Sequence, residues 1–559
     1  MGDLEQASPH GVLAPVEKSV RKKNVYLELL LKDEIVEGPP EHSFFTRKSR
    51  TALHDILDLL HHAAKNPRIA ALLLTLENLA LGWARLSDLR RALVHFRQSG
   101  KQIYCYMPEG GNAEYYLASA CDRIFMPPAA HLHLVGLSAE VFFFRDVLQR
   151  LGITAQLQAI GEYKSASEMF TRTEMSPPAR QQLDSLLDDH YEELCRAVQN
   201  RGFNREEVLA CIDSGPYTAR EAVQQKLLDE ICYQDEVGDR LKEKLGKKIR
   251  PVPANKYFTG DGFIKRMLTF RRARIAVINV NGHIDSGESR RNHAGRNIAG
   301  AETIVGFLDH ANQSRRARAI VLRIDSPGGS GIASDIIWRK ISVIAKTKPV
   351  VVSFGDVAAS GGYYIAAPAS HIIAEPTSIT GSIGVLAGKF VARELMTRLS
   401  IHREFLHRGE HAGYESLFSE FSSEESERLL RQIKEFYTED FLKKVADGRK
   451  MDEKEVDRVG RGRVWSGRQA KEHNLVDAIG GFSEAVRQAR KLARIKDSKK
   501  TRIVHYYKRR KIWERLMPDF RSPFAMGLIP HSLRDAVEIA ERIGQQSILL
   551  LMPFHIRIR

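Results

Sequence analysis

Two residues of this chain have the chemistry of a nucleophile and its base, and they lie in different halves of a duplicated sequence. Ser360 occurs in the second half, where the first half has Asn112 at the corresponding position. Lys164 occurs in the first half, where the second half has Ala412. Each half therefore holds the group that the other lacks, a hydroxyl in one and an amine in the other. This pattern predicts a single active site divided between two duplicated domains.

The duplication has a nearly constant spacing of 248 residues. The apolar run at 72–76 aligns with 320–324, and Tyr-Tyr-Leu-Ala at 115–118 aligns with Tyr-Tyr-Ile-Ala at 363–366. Two copies are too few for a solenoid. A chain of 559 residues is also too long for one hydrophobic core. We therefore expect two globular domains.

The serine needs a base, because a hydroxyl is a weak nucleophile until its proton is removed. No histidine lies beside Ser360; His371 follows eleven residues later, beyond the predicted helix. A lysine can act as the base if burial lowers its pKa from about 10.4 towards neutrality. Lys164 follows the apolar stretch 153–160 and Gly161, a setting that could exclude water. By residue type alone, Lys164 could instead be a solvated surface lysine. Ser360 could instead be a small residue packed at the start of a helix.

Glycine-containing turns supply backbone N–H groups near this serine. The Ser-Pro-Gly-Gly-Ser segment that contains Gly328 and Gly329 follows a predicted strand and precedes a predicted helix. With Gly361, these glycines are candidates for an oxyanion hole, in which each donor contributes about 3–4 kcal/mol. A plain turn is the alternative. Ser382, in a later Gly-Ser turn, is a candidate for orienting the amine, and a structural turn serine is the alternative there.

Hydrophobic periodicity indicates the elements that must position these residues. Short apolar runs typical of buried strands alternate with segments in which apolar residues recur at helical spacing. This alternation predicts an α/β fold with a parallel sheet in each half. The predicted strands are 25–31, 69–76, 102–107 and 153–160 in the first half and 275–280, 319–324 and 350–354 in the second. The predicted helices are 51–64, 86–98, 178–201, 301–312, 332–345 and 424–447.

Composition limits the partners. The formal charge is +16, with basic residues concentrated after about position 490, which favours an anionic surface such as lipid headgroups. A solvated helix face is the alternative. There is no zinc-finger spacing, P-loop or ribonucleoprotein motif, so nucleic-acid binding is not expected. The five cysteines contain no Cys-x-x-Cys pair, which argues against disulfides and a zinc site. We expect no cofactor and no metal.

The sequence shows no segment of the kind that targets or spans a membrane. The amino terminus lacks the basic and apolar regions of a secretory signal. No run approaches the ~18 apolar residues that cross a bilayer. The apolar run at 548–554 is far too short, although with the preceding basic stretch it could rest on a membrane surface. Packing of this run on its own protein is the favoured alternative.

Four motifs in order resemble signal peptide peptidase A, in the long, duplicated form of that serine peptidase family. The resemblance covers about residues 24–490, and the joint occurrence of the motifs makes it specific. The motifs are Gly-x-Tyr-Lys-Ser-Ala at 161–166, Ser-Pro-Gly-Gly at 326–329, Ala-Ser-Gly-Gly-Tyr-Tyr at 359–364 and Thr-Gly-Ser-Ile-Gly at 380–384.

This resemblance implies two tandem crotonase-like (Clp protease-like) domains with a Ser/Lys dyad. Ser360 would be the nucleophile, Lys164 the general base, and the N–H groups of Gly329 and Gly361 the oxyanion hole. The resemblance also implies cleavage of remnant signal peptides at the membrane by ring-shaped homo-oligomers, for example tetramers. The resemblance also implies peripheral membrane association. The chain differs from the family in lacking an amino-terminal anchor and in its basic tail, so the mode of membrane attachment and the compartment stay open.

Two other functions are compatible with such a fold. An acyl-CoA enzyme of the crotonase type would use the backbone N–H groups without a nucleophile, and a noncatalytic oligomeric scaffold would use neither. The expected organisation is a loose segment at 1–23, the first repeat at 24–245, a linker at 246–272, the second repeat at 273–490 and a basic amphipathic tail at 491–559.

Overall fold

The computed structural model contains two α/β units, each built around a parallel sheet. It describes residues 25–38, 51–246, 248–257, 273–292, 296–496, 501–507, 548–552 and 558. The segment predicted to be loose, 1–23, lies outside the described residues, as does most of the predicted basic tail.

The elements follow the predicted alternation of strands and helices. The strands of the first repeat are Val25–Lys32 (β1), Ile69–Glu77 (β2), Gln102–Tyr106 (β3), Gly110–Gly111 (β4), Arg123–Met126 (β5), His131–His133 (β6), Thr154–Ile160 (β7), Tyr217–Thr218 (β8), Glu230–Ile231 (β9) and Arg250–Pro253 (β10). The later strands are Arg274–Asn281 (β11), His283–Asp285 (β12), Arg290–Arg291 (β13), Asn297–Gly300 (β14), Ala317–Ser326 (β15), Gly328–Ser330 (β16), Val350–Ala359 (β17), His371–Ala374 (β18), Ile379–Gly381 (β19), Val385–Val391 (β20), Val464–Ser466 (β21), Ala478–Ile479 (β22), Arg502–Tyr506 (β23) and Leu549–Leu551 (β24).

The helices pack on both sides of these sheets. Those of the first repeat are Leu53–Lys65 (α1), Trp83–Gln98 (α2), Asn112–Ala118 (α3), Arg145–Arg150 (α4), Glu168–Thr171 (α5), Pro177–Gln199 (α6), Arg205–Asp213 (α7), Ala219–Gln224 (α8), Gln234–Leu245 (α9) and Ala254–Tyr257 (α10), with a 3₁₀ turn at Ser165–Ser167. Those of the second are Ala301–Gln313 (α11), Gly331–Ala345 (α12), Gly361–Ala366 (α13), Arg393–Arg398 (α14), Ser423–Glu435 (α15), Lys443–Arg449 (α16), Glu453–Val459 (α17), Gly467–Glu472 (α18) and Phe482–Leu492 (α19), with a π-helical segment at Phe436–Leu442.

The two central sheets have the same strand order. In the first repeat the order is β10-β1-β2-β3-β5-β9, and in the second it is β23-β11-β15-β17-β18-β22. Neighbouring strands pair in parallel throughout both series. Helical crossovers connect such strands because a parallel partner must re-enter the sheet at the same end. The predicted duplicated α/β fold is confirmed.

Each sheet continues beyond the domain boundary expected from the sequence. β10 lies in the segment expected to be a linker, yet it pairs with β1 as the edge strand of the first sheet. β23 lies in the expected tail, yet it pairs with β11 in the same way. These two edge strands begin 252 residues apart, at Arg250 and Arg502, so a comparison at the repeat spacing of 248 gives β23 no counterpart in the first half.

Local sequence explains where individual elements begin and end. In α1, Leu53, Ile56 and Leu60 recur at helical spacing and are buried against the first sheet. β17 was expected to end at 354 but continues to Ala359, so the strand leads directly into Ser360. The long helix expected in the later part of the second repeat is interrupted by the π-helical segment.

A third sheet joins the repeats. Its order is β13-β14-β12-β16-β24-β20-β7, which places β7 of the first repeat beside β20 of the second. These strands pair antiparallel from Ile160 opposite Val385 to Thr154 opposite Val391. The chain that leaves β7 therefore enters the second repeat, and it carries the segment 161–166 with it.

Buried charges also hold the repeats together. Arg323, on β15, is 2% exposed, and its guanidinium donates to the Glu37 carboxylate at 2.6 and 3.1 Å. It also lies 3.7 Å from Asp88 of α2. Nearby, Arg85 of α2 pairs with Asp356 of β17. Since Glu37, Asp88 and Arg85 all belong to the first repeat, these contacts cross the domain interface.

The cysteines and the helices show two further properties. All five cysteines are buried free thiols. Among the described residues, no helix combines the length and apolar character needed to cross a bilayer.

We predict that Arg323→Met destabilises the whole chain. The change leaves the Glu37 and Asp88 carboxylates buried without their cation, which costs about 3–5 kcal/mol in comparable buried pairs. Thermal unfolding of the full chain measures the effect. Arg431→Met is the matched control, because that arginine is exposed and its partner Glu427 lies 3.9 Å away. Equal melting temperatures for the two variants would show that the buried cluster contributes nothing to stability.

Candidate active site

Lys164 reaches the second repeat because of the strand that precedes it. β7 ends at Ile160 beside Val385, and Lys164 follows four residues later. Ser382 lies three residues before β20 begins, in the segment that leads into this partner strand of β7. The antiparallel pairing therefore brings the end of β7 and the start of β20 together, and with them the lysine and this serine.

The Lys164 amine contacts three oxygen atoms, all uncharged. Its Nζ lies 2.7 Å from Ser360 Oγ. It also lies 3.0 Å from the Ser382 carbonyl oxygen and 3.0 Å from Ser382 Oγ. Lys164 is 2% exposed, and both serines are fully buried. The structure thus brings together the three side chains that the sequence singled out.

Burial changes the protonation of this amine. Desolvation lowers the pKa of Lys164 well below its usual value of 10.5. An ammonium in a dry site loses its hydration, and the three neighbouring oxygens carry no negative charge to compensate for this loss. A neutral amine keeps two N–H donors, which suit the two Ser382 oxygens, and a lone pair that can accept the Ser360 proton.

Ser360 stands at a sharp turn between β17 and α13. Its backbone has φ +54° and ψ −113°, a conformation that non-glycine residues rarely adopt. Its N–H donates to the Gly381 carbonyl at 2.8 Å, and its carbonyl accepts from the Tyr364 N–H at 2.8 Å. These bonds hold the strained turn and present the hydroxyl to Lys164. Strain of this kind costs about 1–3 kcal/mol and is concentrated at functional sites.

The three candidate oxyanion glycines have different partners. The N–H of Gly328 donates to Ser326 Oγ at 3.1 Å, so a side chain already engages it. The Gly329 nitrogen lies 3.2 Å from the point that a Cβ at Gly361 would occupy, so these two residues are immediate neighbours. Gly329 and Gly361 are therefore the pair that could share one oxyanion.

A loop of the second repeat that the sequence analysis did not single out supports the lysine. The Tyr163 N–H donates to the Arg461 carbonyl at 2.9 Å, and the Ser382 N–H donates to the Arg463 carbonyl at 2.7 Å. Between them, Gly462 has φ +79°, and a Cβ there would lie 2.5 Å from the Lys164 backbone nitrogen. Only glycine fits this close approach. The sequence feature that could have indicated this role is the glycine between Arg461 and Arg463.

Gln182 of α6 is a second supporting residue that was missed. Its Nε2 donates to the Tyr163 carbonyl at 3.1 Å and to Ser165 Oγ at 2.9 Å. Its Oε1 accepts from the Val464 N–H at 3.2 Å. One buried amide thereby ties both neighbours of the lysine to β21 of the second repeat. A single glutamine within an amphipathic helix gives no sequence signal for this role.

The residues that align with Ser360 and Lys164 in the opposite repeat are Asn112 and Ala412, and neither can act as nucleophile or base. Asn112 donates to the Gly136 carbonyl at 2.7 Å and accepts from the Val135 N–H at 3.2 Å, which is a structural use of its side chain. Ala412 is exposed. Among the described residues, no group of three or more His, Cys, Asp or Glu side chains could hold a metal ion.

Comparison with known proteins identifies the family of this chain. The profile of peptidase family S49 matches residues 95–248 and 343–496, one region in each repeat. "Serine protease SPPA, chloroplastic" of Arabidopsis thaliana is 37% identical over 449 residues, which cover 79% of this chain and 66% of that protein, just under two thirds. "Protease 4" of Salmonella typhi is 30% identical over 463 residues, covering 80% of this chain and 73% of that protein.

Two further proteins are similar to this chain. "Protease 4" of Haemophilus influenzae is 31% identical over 456 residues, covering 78% of this chain and 72% of that protein. A solved ClpP1 structure from Listeria monocytogenes is 16% identical with a TM-score of 0.26, covering 40% of this chain and 99% of that chain. On the two family regions and the identities to the Protease 4 proteins, this chain belongs to peptidase family S49 and is a serine-type peptidase of the signal peptide peptidase A type.

Proposed function

We propose that this peptidase cleaves its substrates through an acyl-enzyme on Ser360, with Lys164 as general base. The observation that carries the proposal is the 2.7 Å contact between Lys164 Nζ and Ser360 Oγ inside a buried site. Since burial lowers the pKa of Lys164, the amine can be neutral at moderate pH. A neutral amine within hydrogen-bond distance of a hydroxyl is the arrangement that a general base requires.

The reaction then follows from the geometry. Ser360 Oγ attacks the carbonyl carbon of the substrate while its proton passes to Lys164 Nζ. The ammonium returns this proton to the leaving amine, and the peptide C–N bond breaks. Water, deprotonated by the same lysine, hydrolyses the ester and restores the hydroxyl. The two Ser382 oxygens keep the amine aimed at Ser360 throughout.

Negative charge on the tetrahedral intermediate needs its own donors. The adjacent N–H groups of Gly329 and Gly361 are the proposed oxyanion hole, and each such donor contributes about 3–4 kcal/mol to transition-state stabilisation. Gly328 stabilises the turn through its bond to Ser326 instead. We assign it a supporting role in the hole, not a donating one.

The alternatives from the sequence are less compatible with this site. A crotonase-type acyl-CoA enzyme needs the backbone N–H groups but no nucleophile, and a scaffold needs neither. Neither function gives a reason to bury a lysine without an opposite charge, which is a costly arrangement. The contact between Lys164 and Ser360 supports hydrolysis.

We propose that the substrates are extended, apolar peptides, with remnant signal peptides as one class. An apolar cluster lies around the end of β7 and the start of α5, close to Lys164. Extended peptides bind such sites through backbone hydrogen bonds, and pockets for alternate side chains provide specificity. The members of the cluster outside the carboxyl-terminal strand β24 are Ala166, Met169, Phe170 and Leu386.

We also propose that copies of this chain associate and work at a membrane surface. Exposed apolar side chains on one face of α12 support association: Ile332 is 66% exposed, Ile336 49% and Val343 44%. Exposed apolar side chains that share one helix face can mark an interaction surface. The charge of +16 supports contact with anionic headgroups.

We predict that Ser360→Ala and Lys164→Ala both abolish peptide hydrolysis. Loss of the nucleophile should reduce kcat/KM by more than about 10⁴-fold, and loss of the base by about 10²–10⁴-fold. A fluorogenic apolar peptide measures turnover, and a fluorophosphonate probe measures reactivity of the serine. Lys340→Ala is the matched control, because that partly exposed lysine pairs with Asp309. Full hydrolysis by Ser360→Ala would exclude the dyad.

We predict that the fluorophosphonate labelling rate rises with pH and reaches a plateau below pH 10.5. Lys164 is protonated and inactive at low pH, and it becomes neutral as pH rises through its lowered pKa. The rising limb of the pH–rate profile therefore reports loss of the ammonium proton. The labelling rate stays high at pH values above this lowered pKa. A rate that keeps increasing through pH 10.5 would show that the amine is not desolvated in solution.

We predict that Ser382→Ala lowers kcat by about tenfold and moves this pH limb to lower values. The change removes the 3.0 Å contact with Ser382 Oγ but keeps the carbonyl contact, so the amine is held less firmly. The ammonium loses an acceptor that favoured it, which lowers its pKa further. Ser378→Ala is the control, because that buried serine bonds to the Gly355 carbonyl instead. An unchanged limb in Ser382→Ala would make Ser382 a turn residue only.

A further inference from the structure

A tyrosine of the π-helical segment contacts the loop that supports Lys164. Tyr437 lies on the π-helical segment Phe436–Leu442 and is 5% exposed. Its hydroxyl donates to Asp457 Oδ1 at 2.8 Å and accepts from the Arg461 N–H at 3.3 Å. Asp457 belongs to α17, and Arg461 begins the loop 461–463. One phenol therefore joins the π-helical segment both to the helix before the loop and to the backbone of the loop.

The loop 461–463 in turn fixes the segments that hold the lysine. The Arg461 carbonyl accepts from the Tyr163 N–H at 2.9 Å, next to Lys164 in the chain. The Gly462 N–H donates to the Ile383 carbonyl at 2.6 Å, one residue after Ser382. The loop therefore bonds to the neighbour of the lysine and to the neighbour of its serine contact. A movement of this loop would change the position of the Lys164 amine.

Hydrogen bonds are important for this loop because a cleft borders it. The cleft has a volume of about 780 Å³, and Tyr437, Arg461 and Arg463 are among the residues that line it. The loop thus lacks packed neighbours on that side. The ion pair between the Arg461 and Asp457 side chains, at 3.0 Å, is solvent-exposed, and such pairs contribute little to stability. The buried phenol is therefore the firmer of the two attachments of Arg461.

The π-helical segment keeps Tyr437 on the buried face of its helix. Buried side chains recur at every fourth residue, at Leu429, Ile433, Tyr437 and Phe441. In an α-helix, a step of four residues drifts by about 40° around the helix axis. The wider turns of a π-helix reduce this drift, and such segments are frequent at functional sites. The tyrosine consequently stays in line with the buried face and reaches Asp457.

The first repeat lacks this arrangement at every corresponding position. The residues 248 positions earlier differ at all three points: Asp189 for Tyr437, Leu209 for Asp457 and Ser214 for Gly462. The helix that corresponds to the interrupted one, α6, is α-helical throughout. The residue that the first-repeat loop would support is Ala412, which has no amine. The arrangement therefore accompanies the lysine and is not a requirement of the fold that both repeats share.

We propose that Tyr437 is a positioning residue for the proposed general base. It fixes the loop 461–463, and the loop keeps Lys164 dry and within reach of Ser360. Asp457 orients the phenol by accepting its hydrogen bond, which leaves an oxygen lone pair for the Arg461 N–H. This inference rests on the proposed function. Tyr437 acts on the reaction through the backbone of the loop.

The hydroxyl of Tyr437 keeps its proton over the pH range in which the lysine titrates. Burial and the hydrogen bond to Asp457 raise the pKa of Tyr437 above its usual value of 10.0. Ionisation of the phenol would remove the donor that Asp457 accepts. Because this pKa is raised, a change in the pH profile of the tyrosine variant reports on Lys164.

Tyr437→Phe tests the inference, because it removes the hydroxyl and keeps the ring. The freed loop admits water to Lys164, so burial lowers the lysine pKa less. The rising limb of the fluorophosphonate profile should move to higher pH, towards 10.5. We expect kcat for the fluorogenic peptide to fall by about 10–100-fold, since a misplaced catalytic group is costly. KM should stay unchanged because the ring is retained.

Tyr217→Phe is the matched control. That tyrosine is also 5% exposed, and its hydroxyl donates to the Cys211 carbonyl within the first repeat. The control loses a buried hydrogen bond but leaves the loop 461–463 attached, so its limb and kcat should be those of the wild type. An equal shift in both variants would overturn the inference. A wild-type limb and kcat in Tyr437→Phe would also overturn it.

Two variants of Asp457 test the partner of the phenol and decide the question if Tyr437→Phe does not fold. Both remove the ion pair with Arg461, but only Asp457→Asn keeps an oxygen that accepts from the phenol. Asp457→Asn should retain most of the wild-type rate. Asp457→Leu, which introduces the residue found in the first repeat, should shift the limb to higher pH. Identical limbs in these two variants would contradict the positioning role.

Melting temperatures, labelling and peptide hydrolysis are measured on the same samples. A lower melting temperature of Tyr437→Phe with an unmoved limb would make Tyr437 a structural residue only. That result would overturn the inference and leave the proposed function intact. Absence of both labelling and hydrolysis in the wild-type chain would overturn the proposed function, and the inference with it.

Discussion

The structure depends on keeping one lysine amine away from water. Lys164 of the first repeat reaches into the second because β7 pairs with β20. Its three oxygen neighbours satisfy hydrogen bonds but carry no negative charge that would stabilise an ammonium. Removing an ammonium from water costs several kcal/mol even after the protein relaxes. Deprotonation avoids this cost, so burial favours the neutral amine, the form that the proposed general base requires. The close approach of Gly462 and the amide of Gln182 support the same geometry from the other side.

Duplication makes such a divided site possible. Each repeat builds the same parallel sheet, and the buried contacts of Arg323 with Glu37 and Asp88 fix the two sheets against each other. Once two copies are held in one chain, each is free to lose one half of the chemistry. Asn112 illustrates this loss, because its amide bonds to local backbone groups where the second copy has Ser360, the proposed nucleophile.

Comparison of the two copies singled out Ser360 and Lys164, whose side chains lie 2.7 Å apart in the structure; their roles as nucleophile and base stay a prediction. Ser360 and Lys164 stand out because their counterparts cannot do the same chemistry, and periodicity located the long helices and strands. The sequence could not predict that the Gly328 N–H donates to Ser326 Oγ, because this hydrogen bond depends on the conformation of one turn. The run at 548–554 was recognised as apolar and expected to pack on its own protein. Its place beside β16 joins segments more than 200 residues apart, and no local pattern encodes such a pairing.

The strand β24 fills a groove between β16 and β20, and it helps to complete the dry site around Lys164. Leu549 and Leu551 belong to the same apolar cluster as Ala166 and Phe170, next to Lys164, so part of the desolvation comes from the segment in the groove. An empty groove would admit water and favour the ammonium. An apolar strand expels that water and favours the neutral base, whereas a polar strand would bring its hydration with it. The apolar substrates proposed above would then be selected twice, by the pockets they fill and by the neutral amine that their binding favours.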